Sequence, residues 1–98
     1  MDNFNKLIYS KKIVILYFYS DECIKTNKLV DKIQKCIIGK NILLDKYDVN
    51  KYSTKKIIKE FNINCYPTFL IYKDGIFLDK IIGVLDNIEV ILNLYINS

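Results

Sequence analysis

The sequence predicts an α/β three-layer sandwich, with helices flanking a four-stranded mixed sheet, and three observations carry that reading. Ile13 to Tyr19 is an apolar run without polar alternation, the pattern of a central strand covered on both faces. Thr68–Tyr72 and Ile76–Ile82 are two further apolar runs joined through Lys73-Asp74-Gly75, an Asp-Gly turn that reads as a β-hairpin. Segments of helical periodicity lie around and between these runs. They supply the layers that a doubly covered strand requires.

In chain order, Asp2 to Ser10 carries Phe4, Leu7 and Ile8 at helical spacing behind an Asp2 or Asn3 cap, which predicts a short helix. The strand Lys12–Tyr19 follows. Ser20 and Asp21 can each cap the next helix, about Cys23 to Ile38, whose stripe is Leu29, Val30, Ile33, Cys36 and Ile37 and whose C-terminal stop is Gly39. Asn41–Asp48, with Ile42-Leu43-Leu44 and Tyr47, reads as a second strand. Ser53 then caps a third helix that carries Ile57, Ile58 and Phe61 and stops near Asn62. After the hairpin, Gly83 breaks the pattern and Asp86 can cap a closing helix built on Ile88, Val90, Ile91, Leu92, Leu94 and Tyr95. Helical crossovers make the early strand pairs parallel and right-handed, and the hairpin adds an antiparallel edge.

A chain of 98 residues with 51% apolar content fits one domain, residues 1–98, without linker, repeat or low-complexity segment. All fifteen positive charges are lysines, and Arg, Ala, His and Trp are absent, a composition that resembles AT-rich coding DNA. The lack of histidine removes Cys-His and Ser-His-Asp nucleophile systems and Cys/His zinc sites. Cys23, Cys36 and Cys65 have no close spacing, which argues against a zinc cluster and against a disulfide-dense secreted scaffold, and the odd count argues for a reducing, cytoplasmic setting. No metal is expected.

The net charge of +4 is spread along the chain, with Lys11-Lys12 and Lys55-Lys56 the adjacent pairs, so no nucleic-acid partner is expected. No membrane span is expected either, because Ile81 to Ile96 is interrupted by Asp86 and Glu89 and is shorter than the ~20 residues a span needs. Lys11-Lys12 before Ile13–Tyr19 is a poor signal peptide, since Asp21-Glu22 follows and no small-residue cleavage site is in place. A monomer is expected.

Cys23 sits where a strand hands over to a helix, an address where unpaired N–H groups and the helix dipole favour a thiolate. Lys25 favours that anion and Glu22 opposes it. On these grounds a turn facing solvent, with a thiol that alkylates ahead of Cys36 and Cys65, is expected. Cys36 lies thirteen residues further along the helix, roughly 20 Å away, beyond the ~7 Å Cα reach of a disulfide, and is expected in the core. Tyr9, Tyr17, Tyr19 and Tyr47 are expected in or around the core.

The strand, then Cys23-Ile24-Lys25-Thr26 opening a helix, then Asp48-Val49-Asn50, then Tyr66-Pro67-Thr68 with Asp74-Gly75 and Gly83, resembles the thioredoxin family in order and spacing from about Ile13 to Ile96. The resemblance implies a thioredoxin-like sandwich, and the family's first strand is expected to be missing because the chain before Ile13 is too short for that strand plus a helix. It also implies a cis Pro67 whose loop packs beside Cys23, with Tyr66 and Cys65 on the substrate-docking surface. The family carries Trp-Cys-Gly-Pro-Cys where this chain has Glu22-Cys23-Ile24-Lys25-Thr26, so the attacking cysteine is kept and a hydroxyl stands in for the resolving one. The family's buried acid six residues before the nucleophile is here Tyr17.

The implied function is therefore a monothiol one: Cys23 attacks a protein disulfide or a glutathionylated thiol, Thr26 assists or is a remnant, and an external thiol resolves the product. Cys65, whose Cys-x-Pro-Thr setting resembles some eukaryotic thioredoxins, resolves it only if the loop brings the sulfurs together, and an exposed surface thiol is the plainer expectation. Glutathione is the possible co-substrate, although the chain lacks the Gly-Gly pair by which glutaredoxins hold it and any Arg for its carboxylates. The alternative is a non-catalytic binding module that holds a partner on its Cys23–Tyr66 surface.

Overall fold

The computed structural model describes residues 6–83 and 88–97. Its elements are β1 (Ile13–Tyr19), α1 (Ile24–Cys36), β2 (Ile42–Asp48), a 3-10 turn (Tyr52–Thr54), α2 (Lys55–Glu60), β3 (Thr68–Lys73), β4 (Ile76–Ile82) and α3 (Ile88–Ile96). Residues 6–8 are helical and, among the described residues, no strand precedes β1. The expected Asp2, Asn3 and Asp86 caps lie outside the described residues.

The four strands form one mixed sheet in the order β2-β1-β3-β4. β1 runs parallel to β2, from Ile13 opposite Ile42 to Tyr19 opposite Asp48. β3 is antiparallel to β1, with Thr68 opposite Phe18, so the parallel arrangement expected of the early strands holds for β1 and β2 alone. The reason lies in where the chain leaves and re-enters. β2 ends at Asp48 beside Tyr19 and β3 begins at Thr68 beside Phe18, so the stretch containing α2 starts and finishes at the same end of the sheet and β3 must run back.

Burial follows the strand period of two. Ile13, Ile15, Tyr17, Phe69, Ile71 and Ile81 face α1 and α3, packing on Val30, Ile33, Ile37, Leu92 and Ile96. Val14, Leu16, Phe18, Leu70 and Tyr72 face the other layer, where Ile8 and Ile63 are buried and Ile57, Ile58 and Phe61 pack against them. β1 thus has apolar neighbours on both sides, as an uninterrupted apolar run demands.

Several local expectations are corrected. Cys36 is exposed, because the buried row of α1 runs through Thr26, Val30 and Ile33 to Ile37, and Cys36 lies a further 100° around the helix from Ile37. Tyr9 is 67% exposed rather than in the core; its ring instead lies over Gly75, where an added Cβ would collide with Cε1. Asp74 and Gly75 both have positive φ, the backbone that a tight hairpin turn requires and that favours glycine. Neither Ser20 nor Asp21 caps α1 through its side chain, since the N-cap position is Cys23. Ser53 falls inside the 3-10 turn and does not cap α2.

Candidate functional site

β1 ends at Tyr19, and the chain turns through Ser20, Asp21 and Glu22 before α1 begins. The Cys23 N–H donates to the Ser20 carbonyl at 3.1 Å, and the Asn27 N–H donates to the Cys23 carbonyl at 2.8 Å as the helix opens. Cys23 is therefore fixed from both sides at the mouth of α1. The tight turn sends its side chain inward: only 6% of the residue is exposed, which corrects the expectation of a solvent-facing thiol. Its Sγ lies 3.7 Å from the Ser20 Oγ, which also accepts the Glu22 N–H at 3.3 Å. Ser20 thus neighbours the sulfur, a role that reading it as a helix cap missed.

Thr26 lies one turn on and is 2% exposed, at the head of the row that continues through Val30 and Ile33. It occupies a core position beside the cysteine, but the hydroxyl within range of the sulfur belongs to Ser20 and not to Thr26. A shallow depression of about 250 Å³ opens along Glu22, Cys23, Ile24, Lys25 and Thr26. Ile24, adjacent to the cysteine, is 61% exposed and gives its rim an apolar side chain.

The second candidate segment precedes β3. The Tyr66–Pro67 peptide bond is cis, Pro67 is fully buried, and Tyr66 is 36% exposed. Thr68 Oγ1 donates to the Cys65 carbonyl at 2.6 Å and the Gly83 N–H donates to the Pro67 carbonyl at 2.9 Å, so the segment is tied to its own strand and to the end of β4. Cys65 is exposed. Pairing of Thr68 with Phe18 puts this loop at the end of the sheet where β1 delivers Cys23. Cys36, at the far end of α1, is remote from it.

Beneath the cysteine turn lies Tyr17, fully buried. Its ring stacks on Phe69 at 4.6 Å and on Tyr19 at 5.2 Å between centroids. Its hydroxyl donates to the Asn27 Oδ1 at 2.7 Å. Burial first, then the neighbouring Cys23, pushes the phenol well above the ordinary tyrosine range, so it stays protonated. Asn27 escaped the sequence reading altogether. The helical offset of four from Cys23 was the available signal, but an Asn on a helix ordinarily reads as a solvated face.

Among the described residues, no group of three or more Cys, Asp or Glu is placed to hold a metal ion, and no helix is long and apolar enough to cross a membrane.

With this geometry in place, the comparisons with known proteins converge. The thioredoxin family model matches residues 1–94. A thioredoxin of Coprinus comatus is 35% identical over 86 residues, which is 85% of this chain and 79% of the relative. Thioredoxin 1 of Plasmodium falciparum is 26% identical over 86% of this chain and 80% of its own length. Among solved structures, oxidised mitochondrial thioredoxin 3 of Saccharomyces cerevisiae superposes with a TM-score of 0.76 at 25% identity, covering 98% of this chain and 87% of that one. The chain belongs to the thioredoxin family, and thiol-redox chemistry on protein thiols and disulfides is the function that this membership supports.

Proposed function

We propose that the protein is a monothiol disulfide oxidoreductase in which Cys23 is the nucleophile and the missing second cysteine is replaced by an external thiol. The observation that carries this reading is the Cys23/Thr26 pair at the mouth of α1, a single sulfur with a buried hydroxyl residue where a resolving thiol would otherwise stand. The Cys23 thiolate attacks one sulfur of a substrate disulfide, forming a mixed disulfide and expelling the other sulfur as a thiolate. A glutathione-type thiolate then attacks the Cys23 sulfur and releases the second substrate thiol. A second external thiol attacks the sulfur it left behind, frees Cys23 and departs as the oxidised disulfide, so two external thiols supply both electrons.

Tyr66, at the same end of the sheet, presents the docking surface in this reading, and the buried Pro67 fixes the loop that carries it. Cys65, exposed beside them, is a substrate contact and not the resolving group. Working as one domain in a reducing compartment such as the cytoplasm, the chain acts as a monomer.

The burial of Cys23 favours a second reading, in which the same surface holds a partner without chemistry. Cys23→Ser separates the two. Loss of glutathione-dependent turnover with an unchanged circular-dichroism spectrum and melting temperature is the outcome expected for the oxidoreductase. Retention of partner capture by the serine variant, with no turnover in the parent protein, is the outcome expected for a binding module.

A further inference from the structure

The Tyr17–Asn27 pair has no part in the chemistry above, yet it links the first turn of α1 to the central strand through a side-chain hydrogen bond. Asn27 is held at two points. Its N–H donates to the Cys23 carbonyl at 2.8 Å, and its side-chain carbonyl accepts the Tyr17 hydroxyl at 2.7 Å. Tyr17 cannot follow Asn27 outward, because its ring is stacked between Tyr19 and Phe69 and is wholly buried. Any outward movement of the Cys23 turn that carries the first turn of α1 with it must therefore break the phenol–amide hydrogen bond.

Apart from the buried Thr26 and Cys23, the turn resists such movement little. Ser20, Asp21, Glu22, Ile24 and Lys25 are partly or fully exposed, and α1 starts without a side-chain cap. The phenol has one proton and donates it to Asn27, so in this arrangement that proton is not available to the sulfur.

We propose that Tyr17 and Asn27 are positioning residues that latch the α1 mouth onto β1, holding Cys23 in its shielded position until the first turn opens toward a substrate. The latch rests on the reading of Cys23 as the reactive thiol, and it makes substrate docking, rather than the resting protein, the state in which the sulfur is presented.

The test is the rate at which iodoacetamide, a small neutral probe, labels Cys23 in the native protein. It is measured by peptide mapping across a pH series, and the pH-independent plateau rates are compared so that access alone separates the variants. Tyr17→Phe keeps both ring stacks and removes the donor, and Asn27→Ala removes the acceptor. Each is expected to raise the Cys23 rate about five-fold, the shift that loss of one ordinary neutral hydrogen bond gives an opening equilibrium. The double variant is expected to be no faster than either single, because both remove the same bond.

Ile33→Val, which loosens the core on the same helix, serves as the control for general destabilisation. An unchanged rate in the two single variants, multiplied effects in the double, or an equal rise in Ile33→Val overturns the latch. Labelling that behaves as expected in a protein without disulfide turnover leaves the latch standing and removes the oxidoreductase reading instead.

Discussion

Phe69→Ala is expected to destabilise the protein by about 3–5 kcal/mol, the cost of emptying a packed aromatic site in a core. Phe69 is fully buried in β3, directly opposite Tyr17 on β1 and Ile81 on β4, so its ring closes the layer between the sheet and the two covering helices. It also stacks on Tyr17 at 4.6 Å, and loss of such a stack adds about 0.5–1.5 kcal/mol beyond the area exposed. β3 is paired on both sides, with β1 and β4, which limits how far the backbone can collapse into the cavity. Since the folding stability of a small domain is about 5–15 kcal/mol, urea unfolding followed by circular dichroism should show a midpoint lowered by a large fraction. A loss below about 1 kcal/mol would mean that the Tyr17–Phe69 layer is not the packed centre described above.

Thr26→Cys is the second large effect, and here the expected change is a gain. Thr26 is one helical turn from Cys23 and, at 2% exposure, holds a site of nearly the volume a cysteine needs, so the substitution should fold without strain. A thiol placed there attacks the Cys23 mixed disulfide from within the same molecule, and intramolecular attack supplies effective concentrations that no external thiol matches. The parent protein is expected to fail in sustained reduction of insulin disulfides driven by thioredoxin reductase without glutathione. The variant is expected to exceed it by about a hundredfold or more, well within the advantage that proximity can give. The persistence of a buried phenol at Tyr17, where an acid would accept the proton of the resolving thiol, sets the ceiling on that gain. Equal and sustained activity in the parent would show that another group already resolves Cys23.

Much of this architecture was legible in the sequence because the strongest signals are local. The apolar run Ile13–Tyr19, the Asp74-Gly75 turn and the stripe Val30, Ile33, Ile37 each identify an element through its own periodicity or backbone demand, and the structure places them accordingly. What failed depended on how one element meets another. The direction of β3 is decided by where the chain re-enters the sheet, and no residue in Thr68–Lys73 encodes that. Cys36 reads as apolar and helical, yet its exposure depends on which side of α1 the sheet occupies, and Thr26, nominally polar, took the buried place instead.

The site shows the same division. Cys23 and Thr26 were visible as a pair because their spacing is a property of one helix. The inward turn of the cysteine comes from the loop folding back so that Cys23 meets Ser20, and helix-capping logic had assigned Ser20 and Asp21 to the helix terminus instead. Asn27 was invisible because its partner, Tyr17, is ten residues away on β1 and is brought to it only by the packing of α1 on the sheet.

The central claim, that Cys23 is the sulfur that enters covalent exchange, is tested most directly by incubating the protein with a disulfide-bonded peptide, quenching with acid and locating the mixed disulfide by peptide mass mapping. The account predicts an adduct on Cys23 that disappears when glutathione is added before the quench. An adduct confined to Cys65 or Cys36, with Cys23 recovered as the free thiol, would contradict it.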